Sequence, residues 1–201
     1  MASFIVFEGI DGSGKSTQAK ALLQRLRRRN IPALLTHEPG GTPLGEQLRR
    51  WLKGRADLSP LAELTLFVAA RAQLVDKVIT PALKSGVTVI SDRFTASTVA
   101  YQGHGRGLDL DLINGLNVAA TGGLAPGLTI LIDMPPEESL ARRNDAGQDS
   151  FESAPWEFHR KVRESYLAQA AANPDDWLLV DGAQDKRRLG QQIWEKVKPL
   201  L

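Results

Sequence analysis

The run Gly9-Ile10-Asp11-Gly12-Ser13-Gly14-Lys15-Ser16-Thr17 has the residue types and spacing that hold a nucleoside polyphosphate. Its glycines let the backbone curl so that successive N–H groups point inward at phosphate oxygens. Lys15 can reach the β- and γ-phosphates, and the Ser16 hydroxyl can ligand Mg²⁺. The flanks fit. Phe4-Ile5-Val6-Phe7 precedes it with strand character, and Gln18 to Leu26 follows with good helix formers. Strand, glycine loop and helix N-terminus together concentrate positive potential on an anion. A glycine-rich hairpin would need neither the lysine nor the helix.

Two further groupings carry chemistry. Asp92-Arg93 follows an apolar run, Val87 to Ser91. An acid there can hold Mg²⁺ directly or through water, and the arginine fork can grip a phosphate. The helical stretch from Leu61 bears an apolar stripe of Leu64, Phe67, Val68, Leu74, Val75 and Val78. Arg71 falls inside that stripe. A charge on a buried face costs several kcal/mol unless paired, so Arg71 requires an internal acid or a ligand. Phe67, one turn earlier, would add an aromatic face for a base. The loop His37-Glu38-Pro39-Gly40-Gly41-Thr42-Pro43 is shaped by its Pro and Gly content, and either Arg49 or Arg50 beyond it could reach a phosphate.

The elements that must position these residues alternate. Strands are expected over Phe4 to Glu8, Ala33 to Thr36, Val87 to Ser91, Leu128 to Asp133 and Trp177 to Val180. Helices are expected over Lys15 to Arg29, Leu44 to Lys53, Leu61 to Lys84, Leu108 to Ala120, Pro136 to Arg143, Pro155 to Ala172 and Lys186 to Lys198. This order predicts an α/β fold of three layers, α/β/α, around a five-stranded parallel sheet. Ligands in such sheets bind beyond the strand C-termini, which selects Glu8-Gly9, Thr36-His37-Glu38, Ser91-Asp92-Arg93, Asp133 and Asp181-Gly182. The 201 residues fit one domain and show no internal repeat or linker. Cysteine is absent, which excludes disulfides, thiolate catalysis and Cys-based zinc sites. The formal charge of +2 does not select a nucleic-acid partner, and the basic run Arg25 to Arg29 suits the negative end of the first helix. No apolar run is long enough for a membrane span, and Met1 to Phe4 lacks the layout of a signal peptide, so a cytoplasmic location is expected.

The chain resembles bacterial thymidylate kinases over essentially its whole length. The resemblance rests on the phosphate loop together with Glu38-Pro39-Gly40-Gly41-Thr42, Leu66-Phe67-Val68-Ala69-Ala70-Arg71, Asp92-Arg93-Phe94 and Ala100-Tyr101-Gln102-Gly103, in that order and spacing. It implies a P-loop NTPase fold of the nucleoside-monophosphate-kinase kind, usually homodimeric. The implied activity is conversion of dTMP to dTDP with ATP and Mg²⁺, in dTTP biosynthesis. Gly9 to Thr17 and Arg142 would bind ATP. Phe67 would stack on thymine and Arg71 would hydrogen-bond its edge. Arg49 and Arg93 would bind the dTMP phosphate. Thr98 and Gln102 would line the nucleoside pocket, and Tyr101 would crowd the sugar 2′ position. Asp11 would face the sugar and the metal, with Ser16 and Asp92 as metal ligands. Lys15, Arg93, Asp11 and Arg143 would be the catalytic set.

The sequence departs from the family in a mobile lid implied at about residues 142–156. Relatives commonly carry an arginine in its middle, where this chain has Ser150-Phe151. Gly12 also leaves the phosphate loop without a basic finger, so Arg143, with Arg142, is expected to supply the missing cation. His37 replaces an arginine common before Glu-Pro-Gly-Gly, and histidine titrates near neutrality. Three alternatives compete: a nucleoside monophosphate kinase of broader specificity, a switch GTPase, and an ATP-binding protein without catalysis. The GTPase would need an Asn-Lys-x-Asp motif, which the chain lacks.

Overall fold

The computed structural model describes residues 2–54, 58–142 and 155–201. Five strands, β1 (Phe4–Glu8), β2 (Ala33–His37), β3 (Thr88–Asp92), β4 (Leu128–Asp133) and β5 (Trp177–Asp181), form one sheet in the order β2-β3-β1-β4-β5. Every pairing is parallel. β1 is central, so the loop leaving its C-terminal end emerges mid-sheet, where neighbouring crossovers diverge and leave a crevice. β2, β3 and β5 each run one residue further than the sequence suggests, because ladder partners are available: His37 lies opposite Asp92, and Asp133 opposite Asp181.

Side chains alternate across the sheet with period two. Ile5 and Phe7 pack beneath α1 (Lys15–Arg27) and α9 (Lys186–Val197), with Leu22, Leu26, Ile193 and Trp194. Phe4 and Val6 face the other layer, with Leu74, Ile79 and Phe94. That layer contains α3 (Pro60–Leu74), α6 (Leu110–Thr121) and α8 (Trp156–Ala172). The alternation puts Glu8 on the Phe4–Val6 face, fully buried. α2 (Pro43–Gly54) packs on α3, and α7 (Pro136–Ala141) packs on α8.

Two features differ from the sequence expectation. The helix expected over Leu61 to Lys84 widens into a π-turn at Val75–Ile79 before α4 (Thr80–Lys84). Pro81 has no N–H to donate and its ring would crowd the carbonyl four residues back, so the chain adds a residue to that turn. The second is helical structure at α5 (Thr95–Thr98), continuing as a π-turn over Val99–Gly105. Threonines, Val99 and two glycines gave no propensity signal there. Tertiary burial decides it: Thr98, Ala100, Tyr101 and Gln102 are all buried.

Candidate active site

The phosphate loop sits at the C-terminal end of β1. Gly14, at φ 98°, caps α1 without any side-chain cap, which leaves helix N–H groups open to an anion. A Cβ on Gly9 would lie 2.4 Å from the carbonyl oxygen of Ile132, so β4 itself requires glycine there. Lys15 donates from Nζ to the Ile10 carbonyl at 2.8 Å. Burial, with Arg93 nearby, lowers its pKa to about 8. The Ser16 hydroxyl donates to Asp92 Oδ2. These two hard oxygen donors fit Mg²⁺, which commonly takes one or two protein ligands and completes its shell with water and phosphate. Among the described residues, no group of three or more His, Cys, Asp or Glu could hold a metal alone.

Arg93 adopts φ 78°, a strained value for a residue with a side chain. Two bonds hold it: the Arg93 N–H donates to the Phe7 carbonyl at 2.9 Å, and Ser91 Oγ donates to the Arg93 carbonyl at 2.8 Å. Nη1 donates to Gly9 O, Ser97 Oγ and Tyr166 Oη, and Nη2 donates to Asp11 Oδ1 at 2.7 Å and Tyr101 Oη at 3.1 Å. Nε has no protein partner among the described residues. Glu8 lies beneath, accepting from Phe94 N, Ser97 and Tyr166. Burial raises its pKa, and the Arg93 charge opposes that shift. Asp11 is thus engaged by Arg93 and Tyr101.

A cavity of ≈ 500 Å³ joins these groups. Lys15, Ser16 and Asp92 line it together with Arg93, Arg49 and His37. Of the two arginines named from sequence, Arg49 faces the cavity and donates to Pro39 O at 3.0 Å, whereas Arg50 is exposed and does not line it. His37 Nε2 lies 3.0 Å from Glu46 Oε1, which also accepts from Gly41 N.

The buried Arg71 finds an internal acid. Nε and Nη2 both donate to Glu38 Oε2, at 2.8 and 2.6 Å. Nη1 donates to Thr98 Oγ1 and Asn117 Oδ1, and Nη2 also to the Phe94 carbonyl. All of its N–H groups therefore have protein partners, and a base at this site must share one of them. Burial raises the Glu38 pKa against the lowering effect of Arg71. Phe67 is half-buried one turn earlier on α3. Gln102 Nε2 donates to Glu63 Oε1 at 2.8 Å.

On the opposite side of the loop, Arg142 Nη1 donates to the Gly182 carbonyl at 2.9 Å, which joins it to the turn after β5. Asp133 accepts both donors of Arg163 on α8 at 2.7 and 2.8 Å. Arg143, Ser150 and Phe151 lie outside the described residues. Sequence reasoning missed Glu63, Ser97, Asn117 and Tyr166, each of which serves another site residue rather than the cavity. Only the rarity of a buried polar side chain on an otherwise apolar helix face could have flagged them.

Three comparisons bear on this arrangement. The family model for thymidylate kinase matches residues 7–193. A thymidylate kinase of Citrifermentans bemidjiense is 47% identical over 207 residues, covering 98% of this chain and 92% of that protein. One of Synechococcus sp. (strain JA-2-3B'a(2-13)) is 48% identical over 198 residues, covering 98% and 95%. The crystal structure of thymidylate kinase from Ehrlichia chaffeensis superposes with a TM-score of 0.82 at 33% identity, covering 98% of each chain.

Proposed function

We propose the reaction from one premise: this chain belongs to the thymidylate kinase family. It phosphorylates dTMP to dTDP with ATP as donor. The observation that carries this reading is the shared cavity, in which a polyphosphate grip (Lys15, Ser16) faces a second set of phosphate-seeking cations, Arg49 and Arg93. A hydrolase would need no second grip.

In the proposed mechanism an oxygen of the dTMP phosphate attacks the γ-phosphorus of ATP in line. A phosphomonoester's second pKa is about 6, so the nucleophile is ionised at pH 7 and needs no general base. Catalysis is then positioning and charge neutralisation. Lys15 holds the β- and γ-phosphates, and Gly9 to Thr17 supply backbone donors. Arg93, through its unengaged Nε, and Arg49 orient the acceptor phosphate. Mg²⁺, held by Ser16 and Asp92 with Asp11 on the sugar side, would neutralise charge on the β- and γ-oxygens. Phe67, Arg71, Thr98 and Gln102 form the base side, Tyr101 sits by the sugar, and Arg142 lies under ATP. We assign one catalytic unit to residues 1–201, with a lid at about 142–156 that excludes water.

The assay is turnover of dTMP, dUMP and UMP with ATP and Mg²⁺. The expected outcome is preference for dTMP; equal rates on all three would favour the broader kinase. Arg143→Ala in the same assay is expected to lower kcat by about tenfold or more, as loss of a transition-state cation does. A smaller loss would remove Arg143 from the mechanism.

A homodimer in the cytoplasm is the proposed setting. Trp51, Leu61, Leu112 and Val118 are 55%, 51%, 44% and 62% exposed on α2, α3 and α6, which pack side by side. No helix among the described residues is long and apolar enough to cross a membrane. Sedimentation equilibrium is expected to give twice the 21.9 kDa chain mass; the single-chain mass would overturn the dimer.

A further inference from the structure

Glu63 is buried, 4% exposed, in the first turn of α3, and nothing in the proposed reaction uses it. It is tied down from two directions. Arg106 donates to both of its oxygens, from Nε at 3.3 Å and Nη2 at 3.0 Å. Gln102 Nε2 donates to its Oε1 at 2.8 Å. Arg106 in turn lies over the Phe158 ring, 5.0 Å from its centroid.

A carboxylate only accepts hydrogen bonds, so the end of the Gln102 amide that faces Glu63 must be the NH₂. The orientation of that amide is therefore set by chemistry. Its oxygen points the other way. Gln102 Oε1 takes no hydrogen bond from the described residues, and it is not among the sealed polar atoms that lack a partner, so it keeps some accessible surface although the residue is 2% exposed. Thr98, four residues earlier on the same helical segment, receives Arg71 Nη1. On the proposed base side, Gln102 would thus offer a fixed acceptor four residues along from the Thr98–Arg71 contact.

Thymine presents the complement, an N3–H donor beside the O4 acceptor. Cytosine presents the reverse, an N3 acceptor beside an N4 amino donor, which would set acceptor against acceptor and donor against donor. We infer that Glu63 is a positioning residue that selects keto over amino pyrimidine monophosphates by locking the Gln102 amide. The inference rests on the proposed reading of this cleft as the dTMP site.

The test compares dCMP as a competitive inhibitor with dTMP as substrate, through the ratio of the dCMP inhibition constant to the dTMP KM. With Glu63→Gln, an amide at 63 can donate or accept, so Gln102 is free to turn. The ratio is expected to fall by about tenfold or more, since a site that pairs either edge loses its penalty for the wrong one. In the exchanged variant Glu63→Gln/Gln102→Glu, the new amide donates to the new carboxylate, which still presents an acceptor, and the wild-type ratio is expected to return. A ratio within about threefold of wild type in Glu63→Gln overturns the inference, because one typical hydrogen bond of about 1 kcal/mol already discriminates by more than that. So does an equal weakening of both nucleotides, which a merely structural role would cause. If Glu63→Gln does not fold, the exchanged variant decides: a retained ratio supports the lock and a lost one overturns it. Failure of the proposed function is separate, since it would appear as absent dTMP turnover in the wild-type protein.

Discussion

Lys15→Met is expected to slow phosphoryl transfer by about a thousandfold while making the ligand-free protein more stable at pH 7. The activity loss follows from the proposed role of Lys15 as the cation that meets the β- and γ-phosphates. The stability gain follows from linkage. Burial holds the folded-state pKa of Lys15 at about 8, against 10.5 for the free side chain. Between those values the unfolded chain binds the extra proton, so stability rises with pH across that window, and below pH 8 the full cost remains. That cost is about 3 kcal/mol. Methionine keeps the packing and loses the Nζ bond to Ile10, worth about 1 kcal/mol, which leaves a net gain of about 2 kcal/mol. Urea unfolding at pH 7 and pH 10.5 measures it: the variant's advantage should shrink at the higher pH. A variant less stable than wild type at pH 7 would contradict the argument. The same cause makes ATP binding weaken as pH rises past about 8, because the lysine must then take up a proton to meet its ligand.

Glu38→Gln is expected to destabilise the fold by about 3–5 kcal/mol, since it leaves Arg71 buried without its counter-charge. The pair is sealed, with the arginine side chain 1% exposed and the glutamate 3%. Replacing both partners should cost much less than the sum of single losses: Glu38→Leu with Arg71→Met removes the charges together. A double-mutant cycle by urea unfolding should give a coupling above about 2 kcal/mol, as for buried networks generally. Coupling below about 0.5 kcal/mol would show that the ion pair contributes little. The dTMP KM of Glu38→Gln should also rise, because the two bonds that aim the guanidinium would lose their charge assistance.

These expectations divide by how far the sequence reached. The phosphate loop was legible because its work is done by backbone and local spacing, as with Gly14 at the start of α1 and Lys15 one residue later. The parallel sheet was legible because strands buried on both faces read as apolar runs, as β4 does. The demand for a partner at Arg71 was also legible, since a charge in an apolar stripe violates a local rule. Its answer was not. Glu38 lies 33 positions away and Asn117 lies 46, and no periodicity connects them. The helix at Thr95–Gly105 failed for a related reason: its residues favour helix only when Tyr101 and Gln102 are buried against α8 and α3.

By itself the sequence determined a phosphate-binding α/β chain with an anomalous buried arginine and a second set of phosphate-seeking residues after the third strand. The tertiary structure decided which groups act on one another. It turned Arg49 toward the cavity and left Arg50 exposed, bound Arg93 to Asp11 and Tyr166, and turned the Gln102 amide toward Glu63. The physical reason is range. Turns, caps and hydrophobic alternation act over a few residues and are written in spacing. Pairing of buried polar groups depends on what packing brings within about 3 Å, and only the folded sheet with its covering helices sets those distances.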